Sequence, residues 1–313
     1  MKIKILTIMV IMLFVLGFSK VTNAGINEYT TTFPKSIVKN NFNHSVIIIA
    51  GGRGETDWLQ PIFERDGENA YNTFKKLGYS DDSIMYLSRN LSLPGVDCSD
   101  TLINISKAIT EWLVNRINNQ SNYCIYIVSH GNKSIGKVTV KDGYIYALDL
   151  SRWLDKVKEY NTGTIVINSC FSGKFIPYLS DPKRIIMTDT DSFNHGFTDF
   201  YNSIFSKAFF DKLSEGASYG KAWIAADKAY DRLVHYIYIP GMKNWLEYKN
   251  PTLYEKVKNI RIFWFYYWLG WQINYREGNP LIEDNGDYIG HGTWRTDKLP
   301  LQGDGSLALE TYP

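Results

Sequence analysis

The sequence predicts an α/β fold with a mostly parallel sheet covered by helices on both faces. Two patterns point to it. Short apolar runs rich in β-branched residues recur along the chain, and between them lie longer stretches whose apolar residues repeat at helical spacing. The run from Ser45 to Ala50 (SVIIIA) is a buried parallel strand that ends in the turn Gly51-Gly52. Ala70, Phe74 and Leu77 then mark a helix over 66–77, stopped by Gly78. Ile84 to Leu87 is a second strand. Leu102, Ile105, Ile109, Trp112 and Leu113 line one face of a long helix beginning near Ser99 or Asp100.

The alternation continues. Tyr123 to Val128 (YCIYIV) is a third strand, and Lys137–Val140 and Tyr144–Tyr146 flank a turn as a small hairpin. Leu150, Trp153, Leu154 and Val157 form another helical face before a fourth strand at Thr164–Ile167 and a fifth at Arg184–Met187. Helices over 201–215, closed by Gly216, and from Ser218 to about Leu233 complete the regular part. The expected organisation is a leader over 1–24, a polar lead over 25–44, one domain over 45–233, and an aromatic-rich extension over 234–313 packed on the same domain.

Composition narrows the function classes. Thirty-four basic and thirty-two acidic side chains leave a net charge of +2, so charge points to no polyanionic partner. Residues 1–24 have the form of a cleaved export signal: Lys2 and Lys4, an apolar run over 5–18, then small residues at Thr22 and Ala24. That run is shorter than the roughly 20 residues a helix needs to cross a bilayer. The expected location is periplasmic or extracellular after cleavage near Ala24. Cys98, Cys124 and Cys170 are odd in number, so at least one thiol stays outside any internal pairing.

In a parallel sheet, ligands bind at the carboxyl ends of the strands. The third strand runs into Ser129-His130-Gly131 and the fourth into Asn168-Ser169-Cys170-Phe171-Ser172-Gly173. A cysteine becomes a good nucleophile when an imidazole beside it takes its proton, and the imidazole can then protonate a leaving group. His130 and Cys170 are therefore the candidate catalytic pair. The amides of Gly131 and Cys170 are the candidate oxyanion donors, since Gly131 lets backbone approach a substrate oxygen closely. Read alone, a cysteine ending an apolar strand is as well explained as core, and a lone His-Gly as a turn.

The segments IYIVSHGN and TIVINSCFSGKFI, separated by a hairpin and a helix, resemble the legumain-like branch of the caspase-fold cysteine peptidases. VIIIAGGRG, LGYSDDSIMYLS and the late segment NPLIEDNGDYIG extend the resemblance to bacterial members, over about 45–230 and 279–290. It implies a caspase-like three-layer sandwich and a Cys170–His130 dyad. It also implies peptide cleavage through an acyl-enzyme, with no cofactor in the chemistry. The family often has an acidic residue shortly before the nucleophile; here Asn168 and Ser169 stand there, and Arg53 and Arg65 are out of register with the family's arginine. Asparagine specificity therefore does not carry over. The segment after the fifth strand lines the same pocket in this fold, so Asn168, Ser169, Asp189 and Asp191 are the expected substrate contacts. The two acids suit a basic side chain.

Asp284 and Asp287, in the acidic turn 283–287, are the one candidate for calcium, although the spacing differs from the alternating loop. His195, His235 and His291 are read as structural. The stretch 262–271 carries seven aromatic residues in ten, so Phe263, Trp264 and Trp268 are expected either to pack on the domain or to meet a partner or a membrane interface. Peptide or protein substrates follow from the resemblance. A transamidase using the same dyad and a silent peptide-binding module are the competing functions.

Overall fold

A computed structural model of the chain describes residues 44–198, 201–233, 251–259, 279–292 and 304–313. The leader, nearly all of the polar lead, His235 and the aromatic stretch with Phe263, Trp264 and Trp268 lie outside them.

The strands are β1 (His44–Ala50), β2 (Ile84–Ser88), β3 (Asn122–Val128), β4 (Lys137–Val140), β5 (Gly143–Tyr146), β6 (Thr162–Asn168), β7 (Arg184–Thr188) and β8 (Leu281–Glu283). The helices are α1 (Gln60–Lys76), α2 (Leu102–Lys107), α3 (Ala147–Leu154), α4 (Ile176–Leu179), α5 (Ile204–Leu213), α6 (Tyr219–Leu233), α7 (Pro251–Val257) and α8 (Ser306–Glu310). The central sheet has the order β2-β1-β3-β6-β7-β8, parallel except for β8, which pairs antiparallel with β7. Antiparallel β4 and β5 form a separate hairpin joined by Lys141 and Asp142.

Alternation along each strand divides the core into two layers. Ile47, Ile49, Ile125, Ile127, Ile165 and Ile167 face the side covered by α2, α3, α4 and the hairpin. Val46, Ile48, Cys124, Tyr126, Val128 and Val166 face the side covered by α1, α5, α6 and α8. Strands apolar on both sides can only sit between two helical layers, which is why they read as unbroken hydrophobic runs. Each fully buried side chain such as Ile48 or Ile127 stabilises the fold by roughly 1.5–3 kcal/mol. The result is the three-layer sandwich.

Element boundaries depart from the sequence expectation in places with local causes. α1 begins at Gln60, well before position 66, because Pro61 suits the first turn of a helix, where its missing N–H costs nothing. α2 begins at Leu102 behind an N-cap at Thr101, whose side chain accepts the Asn104 amide, and widens into a π-helical segment at Ala108–Leu113. β8 is a strand the apolar pattern did not mark. At three residues it is too short for periodicity, and only its pairing with β7 defines it. It lies beyond position 233, so the late segment supplies the sheet's edge.

Candidate active site

The register of the sheet brings the two expected residues together. Val128 of β3 pairs with Asn168 of β6 as the last paired residues, so His130 and Cys170 each stand two residues beyond the same end of neighbouring strands. The exit from β3 is fixed by the Ser129 amide, which donates to the Asn168 carbonyl at 3.2 Å, and by the Ser129 hydroxyl, which donates to the Thr139 carbonyl. Gly131 bridges to Val138 of the hairpin. A Cβ at position 131 would overlap the carbonyl oxygen of Cys170, so glycine is required there by the approach of the two loops.

Beyond Cys170 the chain turns sharply. Phe171 adopts the left-handed conformation, with φ 60° and ψ 25°, and leads into a short helical turn at Ser172–Phe175. A bulky residue in that region costs about 1–2 kcal/mol and persists only where surroundings hold it. Here the Phe171 amide donates to the Asn194 carbonyl at 2.8 Å, and its buried ring meets His195 edge-on at 4.6 Å. The Ser172 amide donates to Thr190 Oγ1 and the Gly173 amide to the Thr190 carbonyl, both at 2.9 Å. No hydrogen bond runs from the Gly131 or Cys170 amide to another described residue.

The thiol is half-buried, and burial pushes it up to about 11; the Asp189 carboxyl adds to the rise and the Gly196 amide opposes it. No hydrogen bond joins it to His130 among the described residues. Cys170 therefore rests as a neutral thiol at pH 7, and an ion pair with His130 is not preformed.

His130 has a partner that the sequence reading missed. Its Nε2 lies 2.6 Å from Oδ2 of Asp57, in the loop between β1 and α1. Phe63 of α1 packs against the same imidazole at 5.0 Å and 88°. Burial alone would raise the Asp57 carboxyl; the Leu59 amide, the hydrogen bond and charge of His130, and the Arg53 amide outweigh it and hold the carboxyl below its usual range. One signal for Asp57 was present, an acid in a loop at the carboxyl edge of β1. Nothing local, however, separates it from Glu55 in the same loop.

The four expected substrate contacts all form hydrogen bonds within the protein. Asn168 is buried and its Nδ2 donates to the Ser206 hydroxyl. Ser169 is buried beside it; its amide donates to Asp189 Oδ1 at 3.0 Å and its hydroxyl to the Cys170 carbonyl at 3.4 Å. Asp189 is fully buried and also accepts from the hydroxyls of Ser172 at 2.9 Å and Tyr230 at 3.3 Å. Burial lifts its carboxyl to about 7. Asp191 is half-buried, and its oxygens accept from the Phe193 and Asn194 amides and from the side chains of Asn194 and Asn279. Asp189 is thus enclosed in the loop, whereas Asp191 keeps part of its surface exposed. Exposed aromatic residues stand on the flanking loops: Trp58 directly after Asp57, 71% exposed, and Phe193 before His195, 81% exposed.

Cys98 and Cys124 form no disulfide. Asp284 accepts the Gly305 amide at 2.8 Å and the Ala308 amide at 2.9 Å, so its oxygens cap α8. Asp287 accepts the Ile289 amide and the Asn285 side chain. No group of three or more His, Cys, Asp or Glu side chains suited to a metal ion occurs among the described residues. His291 Nδ1 meets Asp304 Oδ2 at 2.5 Å, tying the C-terminal segment to β8.

Residues 107–232 match the model of the Peptidase C13 family, a span that contains His130, Cys170 and the strands that carry them. No curated protein matches the sequence. Among solved structures the chain is similar to caspase-1 from Spodoptera frugiperda, at 14% identity over 63% of this chain and 80% of that one, with a TM-score of 0.44. Over the segment that holds both candidate catalytic residues, the chain is similar to the Peptidase C13 family.

Proposed function

We propose that the protein is an exported cysteine endopeptidase whose nucleophile is Cys170 and whose acid–base group is His130. The observation that supports this reading is the strand register, which ends at the Val128–Asn168 pair and leaves His130 and Cys170 each two residues beyond it at the carboxyl edge of the sheet. The Peptidase C13 match over the same segment supports it. Because the thiol is pushed up to about 11, attack proceeds by general-base catalysis from a protonated thiol.

As the Cys170 sulfur bonds to the peptide carbonyl carbon, its proton passes to the His130 ring and the carbonyl electron pair moves onto oxygen. The amides of Gly131 and Cys170 donate to that oxyanion. Collapse breaks the C–N bond, and the departing amine takes the proton from His130. Water then attacks the thioester, giving a proton to His130; the acid leaves and the sulfur regains its proton. Export follows from the leader over 1–24.

The test is a fluorogenic peptide library applied to the full chain, with Cys170→Ala and His130→Ala alongside. Turnover lost in both variants supports the reading. Turnover that persists in Cys170→Ala, or a wild type inert toward all peptides, overturns it; the second result favours a silent module. Added amines that are incorporated into product in place of water identify a transamidase. Export is read from the N-terminus of secreted protein, expected just after Ala24.

A further inference from the structure

We propose that the outer face of the β4–β5 hairpin, with Ile135 and Leu148 at its open end, is a docking surface for a negatively charged lipid bilayer. The inference does not depend on the dyad reading above. Lys137 pairs with Tyr146 and Thr139 with Tyr144, so these four side chains share one face of the hairpin, while Val138, Val140 and Ile145 share the other. The second set is buried in the core. The first turns outward. The Ala147 amide donates to the Gly136 carbonyl at 2.8 Å, which carries the pairing one step further and sets Ile135 and Leu148 at the same end. Ile135, Tyr144, Tyr146 and Leu148 are each between 38% and 47% exposed. Large apolar side chains grouped in this way mark an interaction surface.

The chemistry of the face selects a bilayer over a protein partner. Lys137 stands in the middle of the group, its Nζ 3.6 Å from the centre of the Tyr144 ring and 5.5 Å from that of Tyr146. Lysine is depleted at the core of protein interfaces, where its strongly hydrated ammonium would lose water. At a bilayer surface the same side chain buries its carbon stem and keeps the ammonium among the headgroups. Tyrosine suits that boundary as well, with an apolar ring and a polar tip. Neither phenol hydroxyl bonds to another described residue, so both are open to headgroups. The charge has the required sign. Lys133 before the hairpin and Lys141 in its turn are exposed, and with Lys137 they make three cations. Asp142 is the one acid between positions 131 and 148, and its Oδ1 accepts the Leu102 amide at 2.8 Å. The hairpin is also tied to the candidate site: the Thr139 amide donates to the His130 carbonyl at 3.0 Å, and the Thr139 carbonyl accepts the Ser129 hydroxyl. A hairpin seated on a bilayer thus holds the carboxyl edge of the sheet close to that surface.

The experiment mixes the full chain with vesicles of phosphatidylcholine, alone or with about 30 mol% phosphatidylglycerol. Hydrogen–deuterium exchange followed by mass spectrometry reports which peptides the vesicles protect, so binding by the hairpin is read separately from binding by the leader or by the aromatic stretch 262–271. Tyr144→Ser with Tyr146→Ser removes the rings. Lys133→Gln with Lys141→Gln removes two charges and leaves the Lys137 contact in place, which keeps the test open if the tyrosine pair fails to fold. Melting temperatures report folding of both.

With anionic vesicles, exchange over 131–148 is expected to slow about threefold or more in wild type, and with phosphatidylcholine alone to stay at its vesicle-free rate. The tyrosine pair should abolish the protection. Each lysine near an anionic surface strengthens attachment about fivefold, so the lysine pair should raise the lipid concentration at half-protection about 10- to 25-fold. Salt at about 0.5 M should weaken wild type in the same direction. Protection confined to the leader or to 262–271 overturns the proposal, as does equal protection by both vesicles. Hairpin protection that grows with protein concentration in the absence of lipid also overturns it, and assigns the face to a second copy of the chain. A wild type that cuts no peptide but shows the expected protection removes the peptidase reading and leaves this one standing.

Discussion

The Ser169 amide donates to Asp189 Oδ1 at 3.0 Å, so the residue before the candidate nucleophile is fastened to the loop after β7 by a carboxyl with no exposure to solvent. The same oxygen accepts the Ser172 hydroxyl, bracing the turn on its far side. An acid that the sequence suggested for substrate selection thus supports the loop that presents Cys170. Replacing it by alanine leaves buried donors without partners, at about 1–3 kcal/mol for each. Asp189→Ala is expected to lower the melting temperature by several degrees, measured by thermal denaturation.

Asp189 also gives stability a pH dependence. A carboxyl raised to about 7 keeps its proton in the folded state after the unfolded chain has lost it. The contribution of Asp189 to stability is therefore fully present below the ordinary carboxylate range and is lost as pH rises toward 7. Asp189→Asn keeps an acceptor for Ser169 and Ser172 but does not titrate. Melting curves at pH 5 and pH 8 should differ less for Asp189→Asn than for wild type, with Glu283, also raised to about 7 by burial, supplying a remaining difference.

The Cys170 thiol is expected to be protonated at neutral pH. Absorbance at 240 nm, taken as the difference between wild type and Cys170→Ala, should show no thiolate at pH 7 and a rise only well above the range of an ordinary cysteine. In Asp189→Asn that rise should move to lower pH, because the carboxylate that opposes ionisation is gone. A thiolate signal at pH 7 that vanishes in His130→Ala would instead establish a preformed ion pair.

Gly131→Ala should separate activity from folding. The added methyl overlaps the Cys170 carbonyl, so the two loops must part. A displacement of this kind at a catalytic pair costs on the order of 10²-fold in rate. The expected result is a loss of that size in kcat, with a cooperative melt retained.

Strain at Phe171 can be read from a pair of variants. Phe171→Ala removes a buried ring at a cost of about 3–5 kcal/mol while keeping the unfavourable φ of 60°. Phe171→Gly loses the same ring but relieves the backbone. The glycine variant should be more stable than the alanine variant by about 1 kcal/mol in urea denaturation. The reverse order, which helix and strand interiors show, would mean that the turn carries no strain.

By itself the sequence determined the alternation of strands and helices, and it set His130 and Cys170 at the carboxyl ends of neighbouring strands. Both follow from local pattern: an apolar run such as YCIYIV or TIVI must be buried on two faces, and whatever follows it emerges at the sheet edge. Only the tertiary structure decided what those side chains meet. Asp57 lies 73 positions before His130, in a loop whose shape depends on Gln60 and on Arg89, the residue after β2. Asp189 turns inward because Ser169, Ser172 and Tyr230 supply donors from two other elements. Periodicity reports burial along one segment; the aim of a loop carboxyl is set by hydrogen bonds between segments, and these exist only once the sheet has assembled.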